Sequence, residues 1–142
     1  MRDSICSRVR ETKNDRKEKL VAEYVDGFVL VVPAENLAKY KKLAKMAAKV
    51  WIGHGALDYR ECVSDDLDLG FGKSFTKLLK LKEGEVAVLA WITYKSKAQR
   101  NKVNAAVMKD PRMNEMCKAD DMPFDMKRMS YGGFKTLVAL SQ

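Results

Sequence analysis

Tyr24-Val25-Asp26-Gly27-Phe28-Val29-Leu30-Val31-Val32 is the stretch on which the fold turns. Side chains alternate across an extended chain, so Tyr24, Phe28, Leu30 and Val32 share one side while Val25, Val29 and Val31 share the other. Apolar groups on both sides predict a strand covered on both faces. Pro33 ends it, because proline brings no N–H to a ladder. Val86–Tyr94 repeats the pattern, with Val86, Val88, Ala90 and Ile92 on one face and Ala87, Leu89 and Trp91 on the other.

The segments between and beyond these strands read outward from them. Ala34–Gly53 places Leu37, Tyr40, Ala44, Ala47 and Trp51 at steps of three and four, the stripe of a packed helix. Glu35, Lys39, Lys42, Lys45 and Lys49 form its wet side, and Gly53 and Gly55 suit the left-handed turn that closes a helix. Ala56–Val63 is of mixed polarity on both faces, as an edge strand is; Leu57, Tyr59, Glu61 and Val63 share one of them. An acidic loop spans Asp65–Gly72. Ser74–Leu81 fits either a short strand or a turn of helix, and Glu83–Glu85 is a turn. Ser96 with Gln99 is a capping box that opens a helix at about 97–109. Asp110–Pro111 breaks that helix and starts a shorter one, with Met113, Met116 and Cys117 on one side. A loop near Asp120–Asp125 leads to a last strand over Met129–Leu140, weakened by Gly132 and Gly133.

The order is therefore βαββαβ, which predicts an α+β, ferredoxin-like domain: a four-stranded antiparallel sheet with helices on one face and the first and third strands central. Helices on one face leave the other open. Since that face of the central strands is apolar too, a second copy of the chain is its expected cover.

Composition bounds the function. The chain has 142 residues, 46% hydrophobic and 32% charged, with a formal charge of +8. That length holds a core without staples, and the apolar content excludes a disordered chain. No apolar run approaches the ~20 residues that cross a bilayer. Three cysteines, Cys6, Cys62 and Cys117, form no disulfide scaffold and imply reduced thiols in the cytoplasm. Residues 1–22 intersperse acids and bases and lack the apolar core of a secretory signal. They read as a charged extension preceding one domain at 23–142.

Several motifs then line up. Tyr24-Val25-Asp26-Gly27-Phe28 is followed by Gly55-Ala56-Leu57 with Glu61-Cys62, by Trp91-Ile92-Thr93-Tyr94-Lys95-Ser96-Lys97, and by Asp110-Pro111-Arg112-Met113. The set closes on Met122-Pro123-Phe124-Asp125-Met126-Lys127-Arg128-Met129-Ser130-Tyr131-Gly132-Gly133-Phe134. Together they resemble the YbaA-like family of small bacterial proteins of unknown function, from about residue 23 to the C-terminus. The resemblance implies a ferredoxin-like dimeric α/β barrel. It implies no chemistry.

Familiar catalytic and metal patterns fail on residue identity. With His54 the sole histidine, no two-histidine metal site exists within one chain. A calcium loop counted from Asp66 needs glycine at its sixth position and glutamate at its twelfth, where Phe71 and Lys77 stand. Gly72-Lys73-Ser74 resembles the tail of a phosphate-binding loop, but Leu67 occupies the place of its first glycine. No metal and no cofactor are expected. The lysine stripe 39/42/45/49 carries no interleaved aromatics, which argues against nucleic acid, and Cys62 beside His54 reads better as a small buried hydrophobe than as a nucleophile.

His54, Tyr59, Glu61, Trp91, Tyr94, Arg128 and Tyr131 remain as candidate ligand-binding residues: polar groups among aromatic walls at strand ends, as a barrel pocket would hold them. Glu61 sits on a largely apolar strand face, so it is expected to be partly buried with an arginine or tyrosine as partner, Arg128 being the nearest candidate in the motif-bearing C-terminal segment. Two functions are consistent with this set. One is a homodimeric small-molecule-binding or interaction module; the other is an enzyme using the cavity, in the manner of cofactor-independent oxygenases on this fold.

Overall fold

The computed structural model describes residues 23–116, 118 and 121–142. The expected extension at 1–22, with Cys6, and also Cys117 lie outside the described residues.

Strand β1 (Tyr24–Pro33) runs into a 3₁₀ turn and then helix α1 (Leu37–Gly53). Strand β2 (Asp58–Val63), a single helical turn α2 (Phe75–Leu78) and strand β3 (Glu85–Tyr94) follow. Helices α3 (Lys97–Lys109) and α4 (Pro111–Met116) precede a 3₁₀ turn at Met126–Arg128 and the last strand β4 (Ser130–Lys135). The protein is thus α+β. Its four strands form an open antiparallel sheet in the order β2-β3-β1-β4, with the two double-sided apolar strands in the middle. The Ser96 hydroxyl caps α3 by accepting from the Gln99 amide at 3.1 Å, the bond that the capping box requires. Ser74 does the same for α2, which decides the ambiguous 74–81 stretch in favour of a helical turn.

Register fixes which side chains meet. Tyr59 lies opposite Ile92, Glu61 opposite Ala90 and Phe28 opposite both Ala90 and Tyr131, so all of them share the face that α1 and α3 cover. There Ile92 and Tyr94 pack with Val50 of α1 and Val103 and Val107 of α3, while Leu30, Val32 and Val88 pack against Tyr40. Each such side chain fully buried contributes about 1.5–3 kcal/mol of transfer free energy.

A buried ion pair pins α3 to the sheet. Asp26, only 5% exposed, accepts from Arg100 Nε at 3.0 Å, and the guanidinium lies 5.0 Å above the Tyr24 ring. These groups press against Gly133 of β4, where a Cβ would come within 2.3 Å of Tyr24 Oη and 2.4 Å of Arg100 Nη2. Any larger residue there would have to push the Tyr24 and Arg100 side-chain ends aside.

The opposite face differs from the sequence expectation in one respect. Helices are not confined to one side, because Phe75 of α2 borders a groove with Val29, Ala87 and Leu89 on the far face. Val31 and Ala87 are buried at that end. Farther along, the face stays open, with Leu89 44% and Phe134 62% exposed beside half-buried Val25, Val29 and Trp91. Among the described residues no helix is long and apolar enough to cross a membrane.

Candidate functional site

The Tyr59 and Glu61 side chains, two residues apart on β2, point at the underside of α1. Above Glu61 the sheet presents the small Ala90, and α1 presents Ala44 and Ala47, so the layers leave space between them. The result is a cavity of about 280 Å³. Its aromatic walls are Phe28, Tyr40, Trp51, Tyr59 and Phe124. Leu30, Leu43 and Ile92 join them, and much of the rest comes from Met108, Met113, Met116, Met122, Met126 and Met129, six of the chain's eight methionines. The Met122–Met129 segment is drawn over α1 by the Asn36 side chain, which donates to the Pro123 carbonyl at 3.1 Å, and by an edge-on contact between Tyr40 and Phe124.

Among the described residues that line the cavity, Glu61 is the single charged one. Tyr59 Oη donates to its Oε2 at 2.7 Å, and Tyr40 Oη donates to its Oε1. Burial pushes the Tyr40 phenol well above the usual phenol range, reinforced by its hydrogen bond to Glu61 and by that group's charge. The Tyr59 phenol is raised likewise, first by burial and then by the Glu61 charge. Both tyrosines hold their protons and act as donors. The carboxylate is gripped from two elements at once, a strand neighbour and a helix residue 21 positions earlier in the chain.

The other candidate residues lie elsewhere. Arg128 does not reach Glu61: it pairs with Glu85 and donates to the Leu79 and Lys80 carbonyls, tying the turn before β3 to the 3₁₀ turn before β4. His54 caps the C-terminus of α1 and places Nε2 2.7 Å from Asp110 Oδ2. Tyr94 is fully buried in the core, its hydroxyl donating to Asn104 Oδ1 at 3.3 Å while Trp51 Nε1 donates to the same oxygen at 3.1 Å. Trp91 faces the opposite side of the sheet beneath the Arg60 guanidinium. Tyr131, on the edge strand and 72% exposed, stacks on Phe28 with centroids 5.7 Å apart. Tyr40 and the methionine wall join Tyr59 and Glu61 without having been singled out. Tyr40 belongs to the same helical stripe as Ala44, Ala47 and Trp51, and that stripe was the available signal.

Asp110 deserves a separate test because it gathers charge. Arg112 donates to it from Nε, from Nη2 and from its backbone amide, and His54 bonds it from the other side. The Arg112 contact, then that of His54, holds the Asp110 carboxyl far below the usual carboxylate range. A carboxyl depressed in the folded state contributes stability that is complete above its unfolded value of about 3.9 and lost as pH falls from there toward the folded value. Asp110→Asn is therefore expected to lower the melting temperature at pH 7 and to flatten its fall below about pH 4. Parallel melting-temperature profiles for the two proteins would contradict this account.

With the geometry established, kinship can be read. Residues 23–126 match the model of a family described as "Protein of unknown function (DUF1428)". The chain belongs to this family. It is 42% identical over 116 residues to "Uncharacterized protein YbaA" of Escherichia coli strain K12, covering 82% of this chain and 97% of that protein. A protein of the same description from Shigella flexneri matches with the same identity and coverage. Among solved structures, the de novo designed protein Foldit4 aligns with 80% of this chain and 98% of its own at a TM-score of 0.43 and 13% identity, too loose a likeness to bear on fold or function. Both the family and these relatives are described as uncharacterised, so function has to be argued from the site.

Proposed function

We propose that the protein binds a small, largely apolar molecule in the cavity floored by Glu61, and that it does so as a homodimer. The observation that carries the first part is a carboxylate held through both oxygens by phenols at the base of a cavity whose other described lining is aromatic, methionine and aliphatic side chains. Ligand sites are mostly apolar clefts with a few polar groups that fix orientation, and this cavity has both components. A carboxylate that served stability alone would be less costly on the wet face of β2.

The homodimer reading is supported by the open sheet face, where Leu89, Phe134, Val25, Val29 and Trp91 form an apolar surface beside strands that are otherwise covered. The central placement of β1 and β3 supports a ferredoxin-like topology, and two such sheets meeting face to face would make a dimeric α/β barrel. The exposed, unpaired Cys62 thiol suits a reducing cytoplasm.

The cavity is tested with a panel of monosubstituted benzenes, neutral, cationic and anionic. In Trp91→Phe protein, Trp51 in the cavity wall is the remaining indole and reports occupancy by its fluorescence. At least one member of the panel is expected to give a saturable change. Ala47→Phe, which fills the cavity, is expected to abolish it while leaving the circular dichroism spectrum unchanged. The reading fails if no member saturates, or if Ala47→Phe binds as the parent does.

A further inference from the structure

We infer that the cavity selects an organic ammonium ion, a cation carrying apolar substituents, over neutral and anionic molecules of the same shape. The inference rests on the ligand-binding reading above and names the chemical class of the ligand.

Charge is the first ground. Glu61 lines the cavity with no lysine, arginine or histidine among the described lining residues, and its two hydrogen-bond partners there are neutral phenols. Phenols satisfy lone pairs but supply no countercharge. A carboxylate offers about four acceptor sites, and Tyr40 and Tyr59 take one on each oxygen, so capacity remains on the cavity side. A half-buried ion so placed gains most from a ligand of opposite sign. A ligand carboxylate, sulfonate or phosphate would meet Glu61 with the same sign and would find no cation among the described wall residues to offset it.

The aromatic wall is the second, independent ground. Phe28, Tyr40, Trp51, Tyr59 and Phe124 surround the space, with the Trp51 and Tyr59 rings tilted at 46° to each other and 6.2 Å apart. Several ring faces converging on one volume attract an ammonium group electrostatically, and more strongly once it is desolvated. Methylated or otherwise alkylated nitrogen suits this wall better than a bare –NH₃⁺, because its substituents bury apolar surface against the methionines while the positive charge is retained. The hydroxyls of Tyr40 and Tyr59 are already directed at Glu61, so they present ring rather than hydroxyl to the occupant.

The test uses the full-length protein and three probes of matched shape: benzyltrimethylammonium, its neutral carbon isostere neopentylbenzene, and phenylmethanesulfonate. Isothermal titration is expected to show the ammonium probe binding more than about tenfold tighter than the neutral isostere, with no measurable binding of the sulfonate. In Glu61→Gln the preference for the cation is expected to collapse to less than about threefold while the neutral isostere binds as before. Tyr59→Phe, which keeps both the ring and the carboxylate, is expected to keep the cation preference and serves as the folded reference should Glu61→Gln be unstable. Equal or tighter binding of the neutral or anionic probe to the wild type would overturn the inference and leave the cavity reading standing. Binding of none of the three would overturn both.

Discussion

Arg100→Met is expected to destabilise the fold by about 3 kcal/mol, the lower end of the cost of removing one partner from a buried ion pair. The reason lies with the group left behind. Asp26 is 5% exposed on the central strand β1, and Arg100 Nε is its ion-pair partner at 3.0 Å. Methionine keeps the packing of the stem against Tyr24 but supplies neither charge nor donor. For a domain of this size the loss corresponds to a fall in melting temperature of roughly 10 °C. The double variant Asp26→Leu with Arg100→Met, which removes both charges, is expected to recover much of that loss, because a well-packed apolar pair often equals a buried ionic one. A single variant that melts with the wild type would show that the pair is solvated and contributes little.

Leu89→Lys is expected to split the proposed homodimer. Leu89 lies near the middle of the open face, on β3 and opposite Val29 and Cys62 in the register of the sheet. A two-fold interface places each substitution twice, so one change introduces two ammonium groups into an apolar contact, each costing several kcal/mol to desolvate. The dissociation constant is expected to rise more than about 100-fold, read by sedimentation as a shift from dimer to monomer at micromolar concentration. The residue is 44% exposed in the single chain, so the monomer itself should fold normally. A wild type that sediments as a monomer at every concentration would refute the dimer, and so would a variant whose mass does not change.

Much of this architecture was legible in the sequence, for a physical reason. β1 and β3 are apolar on both faces, the pattern of central strands, and the strand order places both in the middle of the sheet. Ser96 and Gln99 announce α3 through a bond that the backbone amide needs. The period-two spacing of Tyr59 and Glu61 put them on one face, and the 3.6 period of α1 put Tyr40 over that face. The C-terminus misled: the expected strand over Met129–Leu140 is a strand only at Ser130–Lys135, where Lys135 lies opposite Tyr24, and the Thr136 amide makes one further bond to the Glu23 carbonyl at 3.0 Å. Leu137, 95% exposed, shows the outcome. Arg128 misled differently. Its partner is set by where the chain between Leu79 and Glu85 passes, and that path depends on α2 crossing the far face, which local pattern does not encode.

The two ends of the Glu61 cavity differ in stiffness, and the difference bears on selectivity. Its floor is a carboxylate clamped by two aromatic residues, each with only two side-chain torsions. Its roof is six unbranched thioethers, each with three rotatable bonds and a polarisable sulfur that packs equally well in several shapes. A site so divided is strict about what arrives at the floor and lenient about what trails behind it. Molecules sharing a head group but differing in the length or branching of their tails should therefore compete for it on nearly equal terms, much as a socket with rigid contacts accepts plugs in many housings.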